Sequence, residues 1–179
     1  AKREERVASE PSPVEGARWI ALSGGAFALV DDADFAPIAK LTWSTIYRNG
    51  SPAYASARTG KRCRSVPMHR YLLRASAHEV VDHINGNGLD NRRSNLRVCT
   101  PSQNVANNRK PRGGTSRFKG VSWSAPRKKW YAQIGAKSAR SRCIGFFDRE
   151  EDAARAYDAE LVKCFGSFAR SNFPSGGPS

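Results

Sequence analysis

The stretch Val81-Asp82-His83-Ile84-Asn85-Gly86-Asn87-Gly88-Leu89-Asp90-Asn91-Arg92-Arg93-Ser94-Asn95-Leu96-Arg97 constrains this chain more than any other. A short apolar run ends on an ionisable pair, Asp82-His83. A polar, glycine-rich turn follows, and a second apolar strand opens at Asn95. Thr100 then suits a helix N-cap, Pro101 the first helical position and Gln103 the return bond of a capping box. The segment 75–110 therefore predicts strand, turn, strand and helix. As strand neighbours, Asp82 and His83 point to opposite faces. Asn95 stands 13 residues beyond Asp82 and Asn104 stands 22 beyond it. Asn104 and Asn108, four apart, share a face of the predicted helix. An acid, an imidazole and amide oxygens gathered this way can hold a metal ion and activate water against a phosphate. Asn87, Asp90 and Asn91 read as turn residues.

Order and spacing resemble the HNH nuclease motif, the ββα-metal fold. Asp82 and His83 match its opening acid–histidine pair, and Asn95 its central asparagine. Asn104 stands at the third, metal-binding position, which is His in many members and Asn in a phage homing-nuclease branch. Asn108 stands where zinc-type members place another His. The resemblance implies that the helix crosses the strand pair, with Asp82 and Asn104 as metal ligands. Hard oxygen donors, without Cys or a His pair, favour one Mg²⁺ or Mn²⁺ per site over zinc. His83 is the expected general base, since an imidazole takes a proton near neutral pH. Asn95 is expected to accept its other N–H. Met68-His69-Arg70 resembles a segment found upstream in phage HNH proteins. His69 reads as structural, with contact to the phosphate as the alternative, and His78 carries no role.

Charge supports a polyanionic partner. Residues 17–111 carry 14 basic and 6 acidic groups, net +8, and residues 112–179 carry 13 and 6, net +7. Two separately basic segments suit DNA, because each phosphate contact releases condensed counterions. No apolar run approaches the ~20 residues of a membrane span. Residues 1–16 are charged and Pro-containing, lack the apolar core of a signal peptide and read as a disordered tail. Residues 175–179 read as a second tail. The four cysteines, Cys63, Cys99, Cys143 and Cys164, form no CxxC pair, so neither a zinc knuckle nor a disulfide framework is indicated.

Ahead of the motif, residues 18–74 read as short strands with turns and a short helix over Phe35–Leu41, and name no chemistry alone. Strands are predicted over Trp43–Tyr47, Ala53–Arg58 and Arg64–Met68, separated by Asn49-Gly50 and Thr59-Gly60 turns. The nuclease domain is expected over 17–110 and a linker over 111–117. Residues 118–174 change pattern. Three strands (Phe118–Trp123, Lys129–Ile134, Arg142–Phe147) precede a helix capped by Asp148 and stopped by Gly166. Ala154, Tyr157, Leu161 and Cys164 give that helix one apolar stripe.

Phe118-Lys119-Gly120-Val121-Ser122-Trp123, Lys129-Trp130-Tyr131-Ala132-Gln133-Ile134, Ile144-Gly145-Phe146-Phe147-Asp148, Ala153-Ala154-Arg155-Ala156-Tyr157-Asp158 and Asn172-Phe173-Pro174 together resemble the APETALA-two/ethylene-response-factor DNA-binding domain. In that family the three-stranded sheet lies in the major groove. The resemblance puts Lys119, Ser122, Lys129 and Gln133 at groove-facing positions. Arg127, Lys128, Lys137, Arg140 and Arg142 surround them as expected phosphate contacts. Ser122 and Gly135 replace arginines of the plant factors, so the plant recognition sequence does not carry over. Trp130 is expected to pack at least partly in the core.

The chain thus reads as an α+β protein with two parts, a metal-dependent HNH endonuclease and a basic sheet-plus-helix module that holds double-stranded DNA. The layout resembles phage or mobile-element homing endonucleases, acting in the cytoplasm of a bacterial host or phage-infected cell. No membrane and no small-molecule cofactor is expected, and a monomer that nicks one strand is favoured. The alternative is a non-catalytic DNA-binding regulator with a degenerate HNH core.

Overall fold

The computed structural model of the protein describes residue 9 and residues 11–60, 64–111, 113–135 and 141–173. The architecture is α+β, built from small antiparallel sheets. Two compact units divide the chain, Ala1–Cys99 and Thr100–Ser179.

In the first unit, β1 (Ala17–Ala21) pairs with β2 (Phe27–Asp31). The end of the predicted N-terminal tail lies against this hairpin, since Trp19 Nε1 donates to Ser12 O at 2.9 Å. Residues 1–8 and 10 lie outside the described residues. Helix α1 runs over Asp32–Ala39, three residues ahead of the predicted start, because Asp31 takes the N-cap position and acidic residues fill the first turn. β3 (Trp43–Arg48), β4 (Ser51–Thr59) and β5 (Arg64–Pro67) form a meander. Its first turn uses Asn49 at φ 50° and Gly50 at φ 77°, the pairing a tight hairpin needs. Helix α2 (Met68–Leu72) follows at once. β6 (Val80–His83) and β7 (Leu96–Cys99) then form a separate ladder, with Asp82 opposite Arg97 and His83 opposite Leu96. Trp43, Ile38, Met68, Val30 and Leu72 pack one core between these elements, and Trp43 Nε1 is satisfied by Ile38 O at 2.8 Å.

In the second unit, α3 (Pro101–Asn107) starts at Thr100 with the predicted capping box. The second compact unit begins at Thr100, and Ala106 of α3 belongs to its core. β8 (Val121–Ser124), β9 (Lys129–Ile134) and β10 (Arg142–Phe147) form the three-stranded sheet in the order β10-β9-β8. It packs on α4 (Glu150–Phe165) through Val121, Ala132, Ile134, Ala153, Tyr157 and Leu161. Trp130 is partly buried against this core, as expected. Gly166, at φ 51°, ends α4 as predicted. Its N-cap is Arg149 and not Asp148, whose carboxylate pairs with Lys129 Nζ at 3.1 Å.

Candidate active site

The first unit gathers a small group of rings around His83. Tyr54 comes from β4, His69 from α2 and His83 from the end of β6. The His69 and His83 rings meet edge-on, with centroids 4.9 Å apart. Tyr54 lies 5.6 Å from the first and 5.9 Å from the second. His69 Nδ1 is buried without a hydrogen-bond partner among the described residues. Burial holds His69 down to about 4, helped by the charges of His83 and Arg70. Burial also lowers His83, while the hydrogen bond to Asn91 and the carboxylates of Asp82 and Asp90 pull it partly back. Both imidazoles are therefore neutral at physiological pH, the form a general base requires.

The loop between β6 and β7 is held by its own amides and by the elements before it. Asn95 Oδ1 accepts from Asn85 N at 2.9 Å, and its Nδ2 donates to Asp90 O at 2.7 Å and Asn85 Oδ1 at 3.0 Å. Asp90 takes both Arg92 Nε and a terminal guanidinium nitrogen. Residues 89–91 run beside β2, with Leu29 N donating to Leu89 O and Asn91 N to Leu29 O. Arg93 clamps Asp34 on α1 with two bonds of 2.7 and 2.8 Å, while its N–H donates to Asp31. Gly88 closes against β4, where a Cβ would stand 2.0 Å from Ala53 O and 2.6 Å from the Tyr54 ring. The segment that named no chemistry in the sequence thus supplies the frame for the loop.

The loop presents Asn91, fully buried, with Oδ1 3.4 Å from His83 Nε2. Sequence alone assigns Asn91 a turn role and sets Asn95 at the imidazole. In the structure the hydrogen bonds of the Asn95 side chain run to Asn85 and Asp90. Asp82 is buried at 6% exposure, and Arg97 donates Nε and a terminal nitrogen to its Oδ2 at 3.0 and 2.9 Å. The ion pair follows from the register that sets the two residues opposite each other.

Asn104 and Asn108 lie in the second unit. Asn104 is half-buried in the middle of α3. Asn108 is the C-cap, exposed and past the last helical residue, so the expected shared helical face is not formed. Among the described residues no three His, Cys, Asp or Glu side chains cluster as a metal site. The donor types still fit a hard cation. Asp82 is a buried carboxylate whose charge already demands a cationic partner, and the remaining expected donor is an amide oxygen.

On the sheet of the second unit, Ser122, Lys129 and Gln133 alternate with the core residues Val121, Trp130, Ala132 and Ile134. Tyr131 and Phe146 accompany them, with ring centroids 6.0 Å apart, and the Arg127 guanidinium lies 4.4 Å above Phe146. Lys129 pairs with Asp148, and Arg142 with Glu160 on α4. Lys119 departs from the expectation of a groove-facing side chain. Its ammonium turns inward and donates to Ala106 O at 2.6 Å and Val105 O at 3.3 Å. Lys137 and Arg140 lie outside the described residues.

Comparison with known proteins bears on this frame. The HNH endonuclease family matches residues 77–106. An uncharacterized HNH endonuclease of Acanthamoeba polyphaga mimivirus is 30% identical over 154 residues, covering 83% of this chain and 75% of that protein. The chain belongs to the HNH endonuclease family. Protein 3.8 of Escherichia phage T7 is 40% identical over 57 residues, 32% of this chain and 47% of that protein. An ethylene-responsive transcription factor of Arabidopsis thaliana is 47% identical over 51 residues, 28% of this chain and 24% of that protein. The chain therefore spans less than half the length of the phage and plant relatives. No solved structure matches it. This member of the HNH endonuclease family thus joins the family motif to an APETALA-two-like sheet and helix.

Proposed function

We propose that this chain is a DNA endonuclease that hydrolyses phosphodiesters with His83 as general base and one divalent cation. The observation that carries the reading is a buried, neutral imidazole beside a buried carboxylate in the HNH frame. The Nε2–H of His83 donates to Asn91 Oδ1, which puts the basic lone pair on Nδ1. His83 takes a proton from the attacking water, and the water oxygen bonds to phosphorus as the 3′ oxygen leaves. The leaving 3′ oxygen takes a proton from solvent water, so the products carry a 5′-phosphate and a 3′-hydroxyl. Asp82 and, by the family pattern, Asn104 are the residues that would hold Mg²⁺ or Mn²⁺. Bound there, the ion supplies positive charge against the charge building on the phosphate and the leaving oxygen.

The likeness to plant transcription factors and the net +7 of residues 112–179 support double-stranded DNA as the partner of the C-terminal sheet. Tyr131, Phe146 and Arg127 give that sheet an aromatic and cationic outer face. A homing-type enzyme that nicks as a monomer fits one such site per chain. The second reading, a DNA-binding regulator without catalysis, draws on the Arg97 guanidinium, which already occupies Asp82 Oδ2. Supercoiled plasmid separates them. Nicking in Mg²⁺ that stops in EDTA supports the endonuclease. Binding without nicking in either Mg²⁺ or Mn²⁺ supports the regulator.

A further inference from the structure

Helix α3, which carries Asn104, has seven residues and cannot be stable alone. Its N-terminus is closed by the Thr100–Gln103 box. Its C-terminus is closed by the rest of the second unit. Asn108 N donates to Val105 O, Arg170 N donates to Ala106 O at 3.1 Å, and Lys119 Nζ donates to both carbonyls. The ammonium thus meets the negative end of the helix, where cations are favoured.

The Lys119 backbone is fixed in turn. Asn172 Oδ1 accepts from Lys119 N at 2.7 Å, and Asn172 Nδ2 donates to Lys119 O at 3.1 Å. Asp158, buried on α4, orients Asn172 by accepting from its Nδ2 and its backbone N–H, both at 2.9 Å. Gly120, at φ 76°, lets the chain pass the Tyr157 ring, which a Cβ would strike at 2.1 Å. A relay of hydrogen bonds therefore runs from α4 through Asp158, Asn172 and Lys119 to the end of α3. Taking an ammonium out of water is costly unless it is well paired. Burial and the neighbouring Arg170 accordingly lower Lys119 to about 8, with Asp158 opposing.

We propose that Lys119 is a positioning residue for the endonuclease reaction, fastening the Asn104 helix to the DNA-binding module so that helix and sheet move as one body. The role rests on the reading of Asn104 as a metal ligand.

The test uses the full chain with Lys119→Met, Lys119→Arg and Asn104→Ala. Mn²⁺ affinity is read by electron paramagnetic resonance, DNA affinity in EDTA by anisotropy across a salt series, and protection of the α3 amides by hydrogen exchange. Lys119→Met is expected to lower α3 protection and to weaken Mn²⁺ binding about tenfold, the low end for an outer partner of a ligand. DNA affinity should stay within twofold and its salt slope should be unchanged, and Lys119→Arg should restore Mn²⁺ binding. If Lys119→Met fails to fold, Lys119→Gln, which keeps a donor without the charge, carries the same expectations. Unchanged α3 protection and Mn²⁺ affinity, with a salt slope lowered by about 0.9, would make Lys119 a phosphate contact and overturn the proposal. Asn104→Ala with wild-type Mn²⁺ affinity would instead remove the ligand reading. The α3 protection data would then still decide whether Lys119 holds the helix.

Discussion

The ring of His69 meets the ring of His83 edge-on at 4.9 Å, and the charge of His83 adds to the burial that keeps His69 neutral. Burial is the larger cause for both. Each binds its proton more weakly in the folded chain than in the unfolded one. The stability this arrangement contributes is complete above the ordinary imidazole value and is lost as pH falls through the folded values. For His69 the window runs from 6.5 down to about 4, and the full shift corresponds to about 3 kcal/mol. Urea midpoints of the wild type should fall across that window by more than those of His69→Gln, which cannot titrate. Parallel pH profiles for the two proteins would show that His69 stays solvated or finds a proton acceptor.

The same burial bears on the proposed role of His83 as general base. With His83 lowered from 6.5, the proposed base is neutral at pH 7, and kcat/KM should fall only below the ordinary imidazole range. His83→Ala should cut cleavage by ~10²–10⁴-fold while leaving DNA affinity in EDTA intact. Asn91→Ala should lower the rate by a smaller factor, since it removes the acceptor at Nε2 but leaves the imidazole. A His83→Ala protein that nicks at the wild-type rate would falsify the assignment of the base.

Arg97 and Asp82 make a separate prediction, independent of turnover. Both side chains are largely buried, at 15% and 7% exposure. Removing one partner of such a pair leaves an uncompensated charge, which costs about 3–5 kcal/mol. Arg97→Ala should therefore melt well below the wild type in EDTA. A divalent cation held at Asp82, as proposed, would replace the missing charge, so Mg²⁺ should raise the melting temperature of Arg97→Ala more than that of the wild type. Equal Mg²⁺ shifts in the two proteins would place the ion away from Asp82.

Much of this is legible in the sequence, and the exceptions have physical causes. The capping box at Thr100, the strand pair around the Asp82-His83 motif and the glycine stop at Gly166 are local signals, and they appear where local chemistry puts them. The choice between Asn91 and Asn95 is not local. Asn85, Asn91 and Asn95 share one loop, and which amide faces the imidazole depends on the pairing of residues 89–91 with β2 and on the Arg93–Asp34 clamp, both distant in sequence. Lys119 departs for a different reason. Alternation of inward and outward side chains holds only along a strand, and Lys119 lies before β8, separated from it by Gly120 in a left-handed conformation. The first turn of α4 shows the same competition, since Asp148 pairs with Lys129 and Glu150 accepts from Ser116 Oγ and Arg117 N.

The outer face of the C-terminal sheet carries the last prediction. Arg127 lies over Phe146, and Lys128 occupies the turn before β9 at φ 53°. If these two cations meet phosphates, each phosphate left without its cation lowers the slope of log K against log salt by about 0.9. Arg127→Ala combined with Lys128→Ala should thus reduce the slope by nearly two and weaken binding most at moderate salt. Lys129→Ala should act more weakly, because Lys129 already shares its charge with Asp148. Gln133→Ala should leave the slope unchanged, since an amide releases no counterion, and should alter the preference among DNA sequences if it reads a base edge. Anisotropy titrations in EDTA separate these effects from cleavage. A slope that survives the double substitution would move the DNA contact off this face, and the sheet would then be better read as a surface for a protein partner.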